Sequence, residues 1–211
     1  MNTTLTPYPE YRDSGQDWPE KIPSHWKVRR LKTATPNIVN GLWGDDPTGS
    51  EDIACVRVAD FDRFQLQVNF EEPTMRSVEL SRRTGRILKK GDLLLEKSGG
   101  GDLQPVGVVV SYDHNEPAIC SNFIAKLEVS DGCVARFLTY LHAVLYEYRM
   151  NVRSIKQTTG IQNLDTSAYL GEKAAFPPTG EQRRIARFLD TVTDRTDRLI
   201  RAKERLIELL E

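Results

Sequence analysis

The sequence predicts an α/β (α+β) domain followed by one long α-helix, and three observations support this fold class. Short apolar runs at residues 93–95 and 108–110 are bounded by glycine and charged residues, which is typical of buried strands. Residues 133–150 carry apolar side chains at helical spacing. Residues 181–211 contain neither Gly nor Pro, and their apolar residues recur at alternating steps of four and three, as in a coiled coil.

Residues 1–26 are predicted to be an irregular arm packed on the domain, because proline and glycine interrupt them repeatedly. The domain is predicted to span residues 27–178. Its strand-like segments are residues 26–31, 53–58, 92–97, 105–111 and 118–129. Residues 76–85 are a candidate short helix, and the helix at residues 133–150 has Ser130 or Asp131 as its candidate N-cap.

The long helix is predicted to begin at Thr179, because two prolines at residues 176–178 end the domain and Thr179 and Gln182 have the spacing of a capping box. Residues 179–211 therefore form a separate helical region. A heptad seam needs a partner helix, and the 31 residues from position 181 would extend on the order of 46 Å. The seam residues predicted to dimerise are Ile185, Leu189, Val192, Leu199, Leu206 and Leu210.

The formal net charge of −1 excludes a global electrostatic attraction to nucleic acid. The charge is nevertheless uneven. Residues 45–72 carry eight acidic and two basic side chains, whereas residues 76–97 carry seven basic and three acidic ones. This asymmetry either builds a basic face on a neutral protein or belongs to a solvated surface of mixed charge.

The three cysteines, Cys55, Cys120 and Cys133, are widely spaced and form no CxxC pair, and no histidine lies at ligand spacing from them. They are predicted to be free buried thiols in a reducing compartment rather than metal or redox sites. The N-terminus is polar and proline-rich, unlike a signal peptide, and no apolar run is long enough to span a bilayer. These features predict a soluble, cytoplasmic protein.

Four segments together resemble the specificity subunit of type I restriction-modification systems. They are YRDSGQDWPEKIPSHWKVRRL at residues 11–31, GDLLLEKSGGG at 91–101, TTGIQNL at 158–164 and FPPTGEQRRIARFLDTVTDRTDRLI at 176–200. The resemblance covers nearly the whole chain, and the opening and closing segments are its most specific parts. It implies that residues 27–178 are a target recognition domain and that residues 179–211 are a conserved coiled-coil helix.

The resemblance implies a non-catalytic subunit that recognises a DNA sequence. A usual member has two such units in tandem, whose helices pack as an antiparallel coiled coil and separate two recognition domains, each of which reads one half of a split target. This sequence has one unit, and its helix ends without a Gly or Pro stop signal. We therefore expect either a piece of a longer chain or a half-length member of the family, and in both cases the exposed seam predicts a homodimer through the long helix.

The expected partners are double-stranded DNA, a methyltransferase (modification) subunit and a motor-nuclease (restriction) subunit. S-adenosylmethionine, ATP and magnesium are expected on those subunits, and no cofactor or metal is expected on this chain. The sequence offers no catalytic constellation: Pro177-Pro178 follows Phe instead of the Asn or Asp of an amino-methyltransferase, and the Gly run at 99–101 lacks the G-K-[ST] of a phosphate loop. Asp92 and Glu96-Lys97 also lack the spacing of a nuclease metal site.

Three groups of residues are candidates for DNA contact. The densest basic cluster predicts phosphate contacts and comprises Arg82, Arg83, Arg86, Lys89 and Lys90. The glycine-rich segment after a predicted strand offers Lys97, Ser98 and Gln104. A polar segment after the domain helix offers Lys156, Gln157, Thr158 and Thr159. The alternatives are, in the same order, a solvated helix face, a flexible connection and a plain turn.

Trp43 lies between two glycines and is predicted to cap the core, with an exposed recognition aromatic as the alternative. Two other classes of function compete with DNA recognition. One is a coiled-coil interaction module whose domain binds protein and not DNA, and the other is a stand-alone DNA-modifying enzyme. Duplex binding at low salt distinguishes the first, and transfer from a labelled cofactor distinguishes the second. No motif specifies the DNA target sequence.

Overall fold

The computed structural model describes residues 6–101, 103–157 and 160–210. Its strands in chain order are β1 (Tyr11–Asp13), β2 (Lys21–Pro23), β3 (Lys27–Arg30), β4 (Asn37–Asn40), β5 (Asp52–Val56), β6 (Phe61–Asp62), β7 (Gln67–Val68), β8 (Met75–Ser77), β9 (Leu93–Glu96), β10 (Ser98–Gly99), β11 (Val109–Ser111), β12 (Ala118–Cys120), β13 (Ile124–Glu128), β14 (Ile155–Gln157), β15 (Gln162–Leu164) and β16 (Lys173–Phe176). The α-helices are α1 (Leu80–Arg83), α2 (Ala135–Glu147), α3 (Thr166–Gly171) and α4 (Thr179–Glu208).

The centre of the domain is a six-stranded sheet with the order β4-β13-β9-β11-β7-β6, in which only the β11–β7 pair is parallel. Alternate residues of a strand face opposite sides, so Leu93 and Leu95 of β9 lie in one core and Leu94 lies in another. Strand β9 is thus buried on both faces. This explains why its sequence is continuously apolar instead of alternating with polar residues.

Each face of the central sheet has its own apolar core. On one face, α2 and α3 pack with β16 through a set that includes Phe137, Leu138, Leu141, Leu145, Tyr169 and Phe176. On the other face lies a three-stranded sheet, β12-β5-β8, which contributes Ala54, Val56, Ala118 and Cys120. The mixed α/β domain with a long C-terminal helix confirms the predicted fold class, and pairing of that helix into a coiled coil stays a prediction.

Two expected strands differ from the observed ones for identifiable reasons. The segment 105–111 forms a strand only from Val109, because side chains take the backbone hydrogen bonds of Val106. Gln162 Oε1 accepts from the Val106 N–H at 3.2 Å, and Asn151 Nδ2 donates to the Val106 carbonyl at 2.6 Å. The segment 118–129 is divided into β12 and β13, which join different sheets. The candidate helix at 76–85 is reduced to α1, since β8 takes its beginning.

The predicted N-cap of the domain helix is wrong. Helix α2 begins later than expected, and neither Ser130 nor Asp131 caps it; Val134 occupies the N-cap position without a side-chain cap of its own. The cap comes instead from the long helix, because Gln182 Oε1 accepts a hydrogen bond from the Val134 N–H at 2.9 Å. A remote side chain replaces the local one that the sequence suggested.

The predicted capping box of the long helix is also wrong. Pro178 is the N-cap of α4, and Thr179 is already helical, with its hydroxyl donating to the Gly132 carbonyl at 2.8 Å. Gln182 turns its Nε2 back to the Pro177 carbonyl at 2.9 Å. Both side chains therefore fasten α4 to the domain and do not close the first turn of their own helix.

The N-terminal arm is more regular than predicted, because β1 and β2 pair as an antiparallel hairpin. The arm is tied to α4 through Glu181, a buried carboxylate in the first turn of that helix. Its Oε2 lies 3.0 Å from His25 Nε2 and accepts from Trp26 Nε1 at 3.2 Å. Burial raises the pKa of Glu181, but the hydrogen bonds that it accepts outweigh burial and hold the pKa below its ordinary value.

The first turns of α4 pack on the domain, and the rest of the helix leaves it. Arg136 Nε lies 2.6 Å from Asp190 Oδ1, and the Tyr140 hydroxyl donates to the same oxygen at 2.8 Å. Helix α4 has 30 residues and extends for about 45 Å. None of the helices in the described ranges is long and apolar enough to cross a membrane.

The cysteines are free thiols, as predicted, but the prediction that all three are buried is wrong for Cys133. Cys55 and Cys120 are buried, and burial raises the pKa of each thiol to about 12, so both stay protonated at neutral pH. Cys133 is only half-buried and accepts from the Arg29 guanidinium at 2.9 Å. Among the described residues, no group of three or more His, Cys, Asp or Glu side chains is placed to hold a metal ion.

Candidate nucleic-acid interface

Two of the predicted DNA-contacting segments meet in one small antiparallel sheet with the order β10-β15-β14. The register aligns Ser98 of β10 with Asn163 of β15, and Asn163 with Lys156 of β14. Gln157 is similarly opposite Gln162. The glycine-rich segment and the polar segment after α2, which are far apart in the sequence, therefore share one sheet, which we call the small sheet, and Ser98, Asn163 and Lys156 form one row on the same face of it.

The side chains of the small sheet combine hydrogen-bonding groups with positive charge. Ser98 Oγ donates to Asn163 Oδ1 at 2.8 Å, and Lys156 Nζ lies 2.7 Å from Asp165 Oδ2. That contact lowers the pKa of Asp165, which also accepts from the backbone N–H of Ala168 at the start of α3. Lys156 remains largely exposed, so its ammonium group is held near the surface and can still meet a phosphate.

The remaining members of these two segments lie around the small sheet. Lys97 precedes β10 and is half-buried, and its carbonyl accepts from Leu164 of β15 at 2.9 Å. Gln104 is exposed in the loop that follows. Thr158 and Thr159, which were predicted to contact DNA, lie outside the described residues.

The glycines after β10 serve the fold of their own loop. Gly100 has a φ of +63°, and a Cβ there would lie 2.7 Å from the backbone nitrogen of Val106. The Gly101 N–H donates to the Gln104 carbonyl at 3.0 Å and closes the turn. The need for glycine at position 100 is therefore explained by its close contact with the backbone of Val106, and no contact with DNA is required to explain it.

The basic cluster lies at the opposite end of β9 from the small sheet. Lys89 and Lys90 precede that strand, and Lys97 follows it. Over a strand of this length the two ends are separated by about 10 Å. The two groups of cations therefore lie at different places on the domain surface.

Part of the basic cluster is already bound within the protein. Arg83 donates to the carbonyls of Val78 and Glu51 at 2.8 and 2.5 Å, and Lys90 Nζ lies 3.1 Å from Asp113. Arg86 is half-buried and donates to the Arg82 carbonyl at 3.0 Å. Arg82 and Lys89 are the two exposed members that the described contacts do not occupy, and they are the stronger phosphate candidates of the five.

A shallow cavity of about 590 Å³ adjoins the small sheet, and we call it the aromatic pocket. Its lining includes Trp43, Phe123 and Asn122, together with Ser98 and Gly99 of β10. The lining is mainly apolar, with the two aromatic rings exposed to solvent. Sequence reasoning missed Asn122 and Phe123 because they lie in a short loop without a distinctive motif.

Trp43 does not cap the core, so that prediction is wrong and the exposed-aromatic alternative describes its position. Its side chain is 38% exposed, and the Arg76 guanidinium lies 4.6 Å from the ring centroid. The guanidinium also lies 2.7 Å from Asp46. Stacking on a paired arginine fixes the indole at the surface, where it can meet a ligand.

Topology explains why these loops converge. Strands β5 and β12 are parallel neighbours, so the loops after Val56 and Cys120 leave the same edge of their sheet, and the Ser121 N–H donates to the Val56 carbonyl at 2.9 Å. Phe123 then accepts from the N–H groups of Lys97 and Ser98, at 2.9 and 3.2 Å. The end of β9 is thereby joined to the same edge, which forms the aromatic pocket.

A buried ion pair lies below the pocket. Glu96 is 2% exposed, and its Oε2 is 3.2 Å from Arg63 Nη2. Burial raises the pKa of this carboxyl above its ordinary value, although Arg63 opposes the shift. The other carboxylate oxygen faces Gly99, where a Cβ would lie 3.7 Å away. The floor of the pocket therefore carries a buried carboxyl group that is paired with Arg63, whereas its walls are apolar.

The seam residues of α4 divide into two groups. Ile185 and Leu189 are half-buried where the helix leaves the domain, and Ile185 packs on the first core. The other four seam residues are exposed, with exposed fractions of 43% for Val192, 64% for Leu199, 56% for Leu206 and 78% for Leu210. This apolar row has no covering element within the described part of the chain.

The chain is similar to proteins of one family. The sequence model described as "Type I restriction modification DNA specificity domain" matches residues 71–209, about two thirds of the 211 residues. No curated protein sequence matches the chain. One similar solved structure comes from work on complex assembly and conformational transition of the type I R-M system, with a TM-score of 0.62 and 21% identity over 93% of this chain and 44% of that one.

Two further solved structures are similar. The HsdS subunit from Thermoanaerobacter tengcongensis has a TM-score of 0.57 and 20% identity, covering 91% of this chain and 42% of that one. The type I restriction-modification S subunit from M. genitalium has a TM-score of 0.55 and 16% identity, covering 88% and 43%. At these identities the likeness shows a shared fold. The chain spans less than half the length of each of the three proteins.

Proposed function

Because the chain belongs to the family of type I restriction modification DNA specificity domains, we propose that it reads one half of a split duplex DNA target. The observation that carries this proposal is the small sheet, which joins Ser98, Asn163 and Lys156 in one row next to the aromatic pocket. Polar groups and aromatics suit base edges, and lysines suit phosphates. The subunit would thus combine specificity and affinity on one surface.

We propose that a second copy supplies the other half-site reader through an antiparallel pairing of α4. The exposed row from Val192 to Leu210 supports this pairing, because isolated apolar residues at these positions gain stability by packing against a second helix. Two helices related by twofold symmetry would present the same seam to each other. The helix would then separate two identical domains by a fixed distance.

We propose that methyltransferase and restriction subunits dock on the assembly. Ile200 and Ile207 are exposed next to seam residues Leu199 and Leu206, so the apolar face is wider than one coiled-coil seam requires. A wider face suits contact with more than one helix. S-adenosylmethionine, ATP and magnesium would be bound by those partner subunits, and the chain would contribute recognition without chemistry of its own.

The alternative is a coiled-coil interaction module that does not bind DNA. The net charge of −1 and the acidic stretch at residues 45–72 favour this alternative, since both oppose association with a polyanion. The small sheet and the exposed Lys156 favour DNA. An electrophoretic mobility shift assay distinguishes the two functions. The full chain is mixed with a pool of random duplexes at increasing salt concentration, with and without the methyltransferase subunit.

We expect a retarded band at low salt, and the logarithm of the binding constant should fall linearly with the logarithm of salt concentration. Absence of any duplex binding at low salt, even with the methyltransferase subunit added, would refute the proposal in favour of the interaction module. A separate incubation of the chain with duplex DNA and labelled S-adenosylmethionine tests a stand-alone enzyme. Incorporation of label by the chain alone would assign it chemistry that we place on its partner.

A further inference from the structure

The rim of the aromatic pocket has the chemistry of a base reader. Phe123 is 42% exposed and Trp43 is 38% exposed, so each presents apolar surface that gains free energy when it is covered. Asn122, the neighbour of Phe123 in the chain, is exposed on the same lining. Asn122 and Phe123 thus offer one directional polar contact and one apolar contact within the same short loop, and Trp43 adds a second apolar contact from another loop.

The pocket is poorly suited to a phosphate. Glu96 places a carboxyl group below Gly99, and its partner Arg63 is occupied by that ion pair, so the floor of the pocket offers no unpaired cation to a phosphate. Arg57 borders the pocket, but its guanidinium is already paired with Asp60 at 2.6 Å. Lys156, on the outer strand of the small sheet, is the more exposed cation. The charge distribution therefore favours contacts to DNA phosphates at the small sheet and contacts to DNA bases at the aromatic pocket.

We propose that the aromatic pocket reads one A·T base pair in the major groove, with Trp43 and Phe123 contacting the thymine methyl group and the Asn122 amide bonding to adenine N6 and N7. In the major groove an A·T pair presents the thymine methyl, and asparagine is the side chain whose amide matches the N6 donor and N7 acceptor of adenine. This inference rests on the proposed function, because it names the base that the proposed DNA surface recognises.

The test measures coupling between side chains and single atoms of the DNA. The full chain first selects its site from a randomised duplex library. At each A·T pair of the selected half-site, the thymidine is then replaced by deoxyuridine, which lacks the methyl group. In a separate duplex, the adenine is replaced by 7-deazaadenine, which lacks the N7 acceptor. Binding is measured for the unaltered protein, for Phe123→Leu, Trp43→Ala and Asn122→Ala, and for Phe64→Ala, a matched control at an exposed aromatic outside the pocket.

At one A·T pair, we expect deoxyuridine to weaken binding of the unaltered protein about fourfold, the effect of burying one methyl group. We expect 7-deazaadenine at the same pair to weaken it about tenfold. Phe123→Leu and Trp43→Ala should each reduce the sensitivity to deoxyuridine, because each keeps only part of the apolar contact, and both should keep the sensitivity to 7-deazaadenine. Asn122→Ala should show the reverse pattern, and Phe64→Ala should keep both sensitivities.

Two results would overturn the inference while leaving the proposed function intact. One is a selected half-site that contains no A·T pair, and the other is an equal response of all variants to both analogues. If no duplex is enriched, the proposed function itself fails and this inference fails with it. Phe123→Leu keeps the test valid if Trp43→Ala does not fold, because Phe123 is exposed and leucine retains an apolar side chain there.

Discussion

The Gln182 Oε1 atom of the long helix accepts a hydrogen bond from the Val134 N–H at the start of α2, at 2.9 Å. Gln182 is 1% exposed, and its Nε2 donates to the Pro177 carbonyl at 2.9 Å. One side chain therefore satisfies an otherwise uncapped helix N-terminus and a buried carbonyl. The direction in which α4 leaves the domain is set partly by this residue.

Replacement of Gln182 by Ala is expected to lower the free energy of unfolding by about 3 kcal/mol. The change removes two hydrogen bonds and leaves the Val134 N–H and the Pro177 carbonyl without partners in a buried region. Urea unfolding of both proteins measures the difference. Arg183→Ala, at the exposed next position, is the control and should change the free energy by less than about 0.5 kcal/mol. Equal effects of the two changes would contradict the assigned role of Gln182.

Replacement of Lys97 or Lys156 by Ala is expected to weaken duplex binding by a similar factor for every DNA sequence. Each change should also reduce the slope of log affinity against log salt by about 1, the value for one lost phosphate contact. Lys21→Ala, at an exposed lysine of the N-terminal hairpin, is the control and should leave the slope unchanged. A loss of affinity confined to one DNA sequence would place these lysines at bases and not at phosphates.

Stability is expected to fall as the pH is lowered from about 6.5 towards 4, because of His142. This residue is buried with its Nδ1 2.8 Å from the Tyr169 hydroxyl, and burial lowers its pKa to about 4. The unfolded chain takes up the proton near its ordinary pKa of about 6.5, whereas the folded chain resists it, so the stability present above pH 6.5 is lost on acidification.

The expected loss from this single group between pH 7 and pH 5 is about 2 kcal/mol. The control variant His142→Gln keeps a hydrogen-bonding group beside Tyr169 and cannot titrate. Unfolding free energies measured at both pH values should therefore fall more steeply for the unaltered protein than for the variant. Parallel pH profiles would show that His142 does not contribute.

The sequence predicted the parts of this fold that depend on local pattern. The apolar run at residues 93–95 and the apolar face of α2 follow from periodicity alone, and so does the exposed row of α4. The caps of α2 and α4 could not be predicted, because Gln182 reaches a helix that is distant in sequence. Local capping rules consider only neighbouring residues.

The sequence identified the charged and polar residues of the candidate interface but not the strand pairing that brings them together. Lys97, Ser98 and Lys156 stand out by composition, and their meeting in the small sheet required the pairing of β10 and β14 with β15. Asn122 and Phe123 carry no signal in the sequence, since they reach the surface only because β12 and β13 belong to different sheets. The position of a loop at a sheet edge is a property of topology, which a single sequence does not specify.

The exposed apolar seam of α4 predicts the oligomeric state of the protein. Leu199→Asp combined with Leu206→Asp should convert the proposed dimer to a monomer, because each change places a carboxylate in an apolar seam that is otherwise desolvated on pairing. The control places the same carboxylates one residue earlier, at Arg198 and Arg205, outside the seam. Light scattering over a range of concentrations should give a dimer mass for the unaltered protein and the control, and a monomer mass for the seam variant. A monomer mass for the unaltered protein at high concentration would contradict the pairing of α4, and the exposed leucines would then need a partner other than a second copy.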